Sequence, residues 1–103
     1  MDVKTTVASI DYYTEIADPD DDNVDVHVRL ESGERYVATF FTLRNIQGLM
    51  DKDKKTGEGS GKYFWASDMV IVLDLNDATI RKTVEEMIAN GEFEHAFSGP
   101  LPD

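Results

Sequence analysis

Residues 24–42 read Val24-Asp25-Val26-His27-Val28-Arg29-Leu30, then Glu31-Ser32-Gly33-Glu34, then Arg35-Tyr36-Val37-Ala38-Thr39-Phe40-Phe41-Thr42. Val24, Val26, Val28 and Leu30 alternate with Asp25, His27, Arg29 and Glu31, the period-two signature of a half-buried strand. Ser32-Gly33 turns the chain, and 34–42 returns as a partner strand. A three-residue loop with Gly33 in the left-handed region pairs Val28 with Tyr36 and Val26 with Ala38. A two-residue turn would shift the register and flip the faces of Tyr36 and Phe40. The first choice is preferred, because it puts Tyr36, Ala38 and Phe40 on the valine face.

Upstream, 7–16 reads as a strand with Ile10, Tyr12 and Ile16 on one face. The turn formers Asp18-Pro19-Asp20-Asp21-Asp22-Asn23 end it. Downstream, Thr42 is placed to cap a short helix, and Leu43, Ile46, Leu49 and Met50 form a helical stripe. The charged, glycine-containing stretch 51–61 reads as an exposed loop. Segments 62–66 and 69–73 read as two more strands, joined as a hairpin through Ser67-Asp68. Met69-Val70-Ile71-Val72-Leu73 is continuously apolar, which predicts a strand covered on both faces. A helix follows, capped by Asn76 or Asp77, with Ile80, Val84, Met87 and Ile88 on one stripe and Gly91 at its C-terminal cap. Phe93 and Phe97 fold back as anchors, and 99–102 runs extended. The order β-β-β-α-β-β-α predicts an α+β fold: a mostly antiparallel sheet of about five strands with two helices packed on one face.

The chain has 103 residues, which is one domain's worth, read as 1–103. A hydrophobic fraction of 41% and ten aromatics are too apolar for a disordered acidic tail. One core of this size is feasible and a separate cofactor domain is not. No stretch approaches the roughly 18 apolar residues of a membrane span. Residues 1–10 have no apolar core of a signal peptide, so none is expected. The absence of Cys excludes a disulfide scaffold, a Cys-ligated zinc and a thiol nucleophile, and it fits a cytoplasmic protein.

The formal net charge is −11, and it is concentrated. Seven acids and no Lys or Arg lie between Asp11 and Asp25, and five more acids without a basic residue lie from Glu85 to the end. Such a charge repels nucleic acid and anionic lipid and favours a basic protein partner.

No catalytic motif is present. Asp18, Asp20 and Asp22 have the one-three-five spacing of a calcium loop, but Asn23 stands where Gly is needed and Arg29 where Glu is needed. No metal or other cofactor is therefore expected. His27, between Asp25 and Arg29, has the carboxylate neighbour of a general base but no nucleophile motif. His95, beside Glu94, reads as surface or C-terminal packing. Gly57-Glu58-Gly59-Ser60-Gly61 lacks the ending of a phosphate loop and precedes a predicted strand instead of a helix. Lys62-Tyr63-Phe64-Trp65 is the most aromatic run. Strand alternation would put Phe64 opposite Tyr63 and Trp65, with Trp65 more readily in the core than at an interface. An outward Tyr63 or Trp65 would anchor an interface.

Three segments carry a resemblance: the acidic block Asp18-Pro19-Asp20-Asp21-Asp22, the run Gly61-Lys62-Tyr63-Phe64-Trp65-Ala66-Ser67-Asp68, and Gly91-Glu92-Phe93-Glu94-His95-Ala96-Phe97. In general character the chain resembles the immunity proteins of bacterial toxin systems, including contact-dependent growth inhibition. That resemblance implies a protein that neutralises a cognate toxin by covering its active site or an adjacent surface. It carries no individual functional residue over. The expected function is thus a non-enzymatic binding module. Asp18, Asp20, Asp21, Asp22 and Asp25 would meet a basic toxin domain, and Tyr63 and Trp65 would supply contact area. The alternatives are a regulatory or structural subunit of a larger assembly, and a small ligand-binding or enzyme domain using His27 and Asp25.

Overall fold

The computed structural model describes residues 6–102. Four strands form one sheet in the order β1-β2-β3-β4: β1 Val7–Tyr12, β2 Asn23–Leu30, β3 Arg35–Thr42 and β4 Met69–Val72. Helix α1 spans Leu43–Thr56, α2 Asp77–Ala89 and the single turn α3 Phe93–Ala96.

The central hairpin has the expected register, Val28 opposite Tyr36 and Val26 opposite Ala38. Leu30 donates its N–H to the Glu34 carbonyl at 2.9 Å, and Gly33 takes the positive φ of +92° that this loop requires. The inward residues Val24, Val26, Val28, Tyr36, Ala38 and Phe40 join Val70, Val72, Ile80, Val84, Phe93 and Phe97 in one core. Ile10, Tyr12 and Ile16 pack at its margin, although β1 ends at Tyr12 and not at residue 16.

Two parts of the expected architecture are corrected. The sheet has four strands, not five, and it is mixed, because β4 runs parallel to β3. Segment 62–66 is irregular, and no hairpin forms at Ser67-Asp68. The physical cause is α1. It runs on to Thr56 through the stretch read as a loop, since the lysines there are good helix formers and the glycines of the stretch all lie beyond Thr56. Gly57, with φ +78°, then ends it in the left-handed conformation. A full helix between adjacent strands forms a crossover, and a crossover makes them parallel. β4 is consequently an edge strand. Val70 and Val72 are buried, but Ile71 is half exposed and Leu73, just past the strand, is 87% exposed, so it is not covered on both faces.

The helices also do not share one face. α2 and α3 contribute Ile80, Val84 and Phe93 to the core, whereas α1 contributes nothing to it. Phe41 and Ile46 are buried outside that cluster, and Phe64 meets Phe41 edge-on at 5.2 Å. α2 closes as read. Gly91 donates to Ile88 and Glu92 to Met87, which satisfies the last carbonyls, with Gly91 at φ +74°.

The first half of β3 is not left as an edge. Val37 and Ser98 exchange both backbone hydrogen bonds, and Leu101 donates to Arg35. Only glycine fits at position 99. A Cβ there would collide with the Tyr36 ring and lie 2.8 Å from the Arg35 carbonyl oxygen.

Candidate functional site

The ends of β1, β3 and β4 and the start of β2 converge at one end of the sheet, where α1 and α2 begin. The acidic turn sits there, and its own carboxylates hold it. Asp20 donates its N–H to Asp18 Oδ1 at 3.0 Å, and Ala17 donates to Asp22 Oδ2 at 3.1 Å. Leu75 donates to the Pro19 carbonyl at 2.7 Å, tying the turn to the segment that follows β4.

Thr42 joins the turn to α1. Its Oγ1 accepts from Asn45 N–H as the N-cap and from Asp22 N–H, and its hydroxyl donates to the Asp22 carbonyl. Two helix N-termini thus face a crowded set of carboxylates, and their positive dipole ends offset part of the self-repulsion. Asp74 belongs to the same end. Hydrogen bonds from the Thr79 hydroxyl and the Asn76 amide hold its carboxyl below the ordinary Asp range.

Tyr12 donates its hydroxyl to Asp77 Oδ1 at 2.6 Å. Burial, and then this carboxylate, push the Tyr12 phenol up to about 12. An unfolded Tyr ionises near 10. Between those values the folded chain holds a proton that the unfolded chain has lost, so the stability tied to this group is complete below pH ~10 and disappears as pH rises towards 12. In a tyrosinate absorbance titration, Tyr12→Phe should remove the highest-pH component, and Asp77→Asn should bring it down towards 10.

The expected partner-binding residues separate into three groups. Asp18 and Asp22 use carboxylate oxygens on the turn's own amides. Asp20 and Asp21 are exposed, and their side chains have no hydrogen bond or ion pair among the described residues. Asp25 is not in the turn. It lies on the open face of the sheet, where Thr39 donates its hydroxyl to it at 2.7 Å. Tyr63 and Trp65 are both outside, at 68% and 73% exposure, so Trp65 is not a core residue. Once 62–66 is irregular, strand alternation no longer governs these rings. Phe64 alone of the three turns inward.

Sequence reading missed Leu43, Leu73, Asp53 and Glu58. Leu43 is 65% exposed despite its place on the apolar stripe of α1. A depression of about 390 Å³ is lined by Leu43 and Leu73 and rimmed by Asp20, Asp74 and Arg44. A second, lined by Leu43, Ile46, Met50 and Gly61, continues along α1. A third, at the far end of the helix, is bounded by Asp53, Glu58, Tyr63, Phe64 and Trp65. The only signal in the sequence was the placement of apolar side chains beside turn residues.

His27 lies on the open sheet face, opposite Asp11, with the Tyr13 ring edge-on at 4.5 Å. It lines none of these depressions. His95 is exposed on α3. Among the described residues no three His, Asp or Glu side chains gather as a metal site, and no helix is long and apolar enough to cross a membrane. The fold and site define a small α+β protein with a four-stranded mixed sheet and an apolar strip bracketed by carboxylates. Comparison with known proteins finds no matching family model, curated protein or solved structure.

Proposed function

We propose that this chain is a non-enzymatic protein-binding module, an immunity protein that neutralises a basic toxin domain in the cytoplasm. One observation carries the reading. Four large apolar side chains, Leu73, Leu43, Tyr63 and Trp65, stand exposed along α1, with carboxylates at both ends of the strip, of which Asp20, Asp53 and Glu58 have no side-chain partner among the described residues. Exposed aromatic and aliphatic anchors supply desolvated contact area, and the charged rim steers the approach. Asp20 and Asp21 do the steering. Asp18 and Asp22 keep the turn in shape, and Asp25 adds charge from the sheet face.

The test separates steering from folding. Asp20→Lys/Asp21→Lys should keep its circular dichroism spectrum, because neither side chain is bonded among the described residues. Association with the basic protein encoded beside it, followed by stopped flow, should slow about tenfold at low salt and converge with the parent rate at high salt. An unchanged association rate would remove the acidic turn from the interface. Asp22 is left out of the variant because its carboxylate accepts from Ala17 and Asn23.

A further inference from the structure

We infer that the depression at the C-terminal end of α1 is a binding site for a single arginine side chain, presented by the basic partner. The inference rests on the partner reading above and names the group that enters this pocket. Asp53, Glu58, Tyr63, Phe64 and Trp65 bound a space of about 250 Å³. That is below the roughly 300–1,000 Å³ of pockets for drug-sized ligands and suits one side chain.

The walls select the chemistry. Three aromatic rings lie beside two carboxylates, and no Lys or Arg lines the space. Lys52, Lys54, Lys55 and Lys62 are nearby in sequence but are exposed outside it. Neither Asp53 nor Glu58 has a side-chain hydrogen bond or ion pair among the described residues. An anionic ligand would be repelled. A purely apolar one would strip water from two carboxylates without pairing them. A guanidinium satisfies both walls, because its flat cation stacks on aromatic faces while its N–H fork pairs with carboxylates.

The pocket is also built. Phe64 is held edge-on against Phe41, which fixes one wall. Gly59 leaves room for Asp53, since a Cβ there would lie 3.0 Å from Asp53 Oδ2. Gly61, at φ +74°, packs the loop onto α1 so closely that a Cβ would come within 2.7 Å of the Lys54 Cβ.

Trp65 is the single tryptophan of the chain, so its fluorescence reports this site alone. The full chain is titrated with the peptides acetyl-Gly-Arg-Gly-amide, its lysine counterpart and its neutral citrulline counterpart. Saturable fluorescence change is expected with the arginine peptide and not with citrulline. Tyr63→Ala should abolish it, and Glu58→Gln should weaken it about two- to fivefold, the worth of an exposed ion pair. At ~0.15 M salt, Asp20→Lys/Asp21→Lys should leave it unchanged, because the acidic turn lies at the other end of α1, about 20 Å away and well beyond the screening length of roughly 8 Å. No saturable change, or an equal response to citrulline, overturns the site. Lysine binding as tightly as arginine overturns the choice of arginine. If the peptides fail while the turn variant still slows partner association, only this inference falls and the partner reading stands.

Discussion

Val26→Asp is expected to leave no cooperative unfolding transition. Val26 is fully buried in β2, between Tyr12 of β1 and Ala38 of β3. A carboxylate there would enter the apolar core with Val24, Val28, Phe40 and Val84, none of which can donate a hydrogen bond to it. Keeping it charged costs several kcal/mol and neutralising it still buries a polar group, while a domain of this size has only about 5–15 kcal/mol in hand. The neighbouring Asp25 shows how much the face matters. One residue away, on the opposite side of the same strand, a carboxylate is exposed and takes a hydrogen bond from Thr39. The checks are a far-ultraviolet circular dichroism spectrum and a thermal melt. A sigmoidal melt from Val26→Asp would mean that the inward face of β2 has been assigned wrongly.

Thr42→Val carries the second largest expected effect. Thr42 is fully buried, and valine keeps its shape while removing every hydrogen bond of the hydroxyl. The Asn45 N–H loses its cap and the Asp22 N–H loses its acceptor. An N-cap is worth about 0.5–2 kcal/mol and an unsatisfied buried donor about 1–3 kcal/mol, so a loss of about 2–4 kcal/mol follows. At roughly 4–8 °C per kcal/mol in a domain this small, the melting temperature should fall by at least about 8 °C. Thr42→Ser retains the hydroxyl and should lose much less. Equal losses from the two variants would show that the methyl group matters and the hydrogen bonds do not.

The parts of the fold that were legible are those in which a local pattern and a turn agree. β2 and β3 carry a period-two alternation, and Gly33 sets the loop that aligns them, so register follows from neighbours within twenty residues. Thr42 as a cap, Gly91 past the end of α2, and Phe93 and Phe97 as anchors are likewise local signals, and each holds in the structure. The stretch 62–66 misled because aromatic residues favour strands only where a neighbouring strand accepts them. β4 occupies the available edge of β3 at 39–42, and the C-terminal segment takes 35–37, so no partner remains there for a fifth strand.

The candidate site was half legible for a related reason. Composition located the acidic turn but treated its carboxylates as equivalent. In the fold, Asp22 is a structural acceptor, the Asp20 side chain has no partner among the described residues, and Asp25 belongs to another surface. Leu43 and Leu73 are thirty residues apart and become one depression only because β4 returns beside β3.

From the amino acids alone came the central hairpin with its buried face, the α+β class and the concentration of negative charge, since side-chain alternation, turn chemistry and composition are local properties. The direction of β4, the outward position of Trp65 and the strip along α1 depended on which backbone edges and apolar faces found partners. Those outcomes were settled by competition among distant segments for the same hydrogen-bonding edge of β3, which no single stretch of chain encodes.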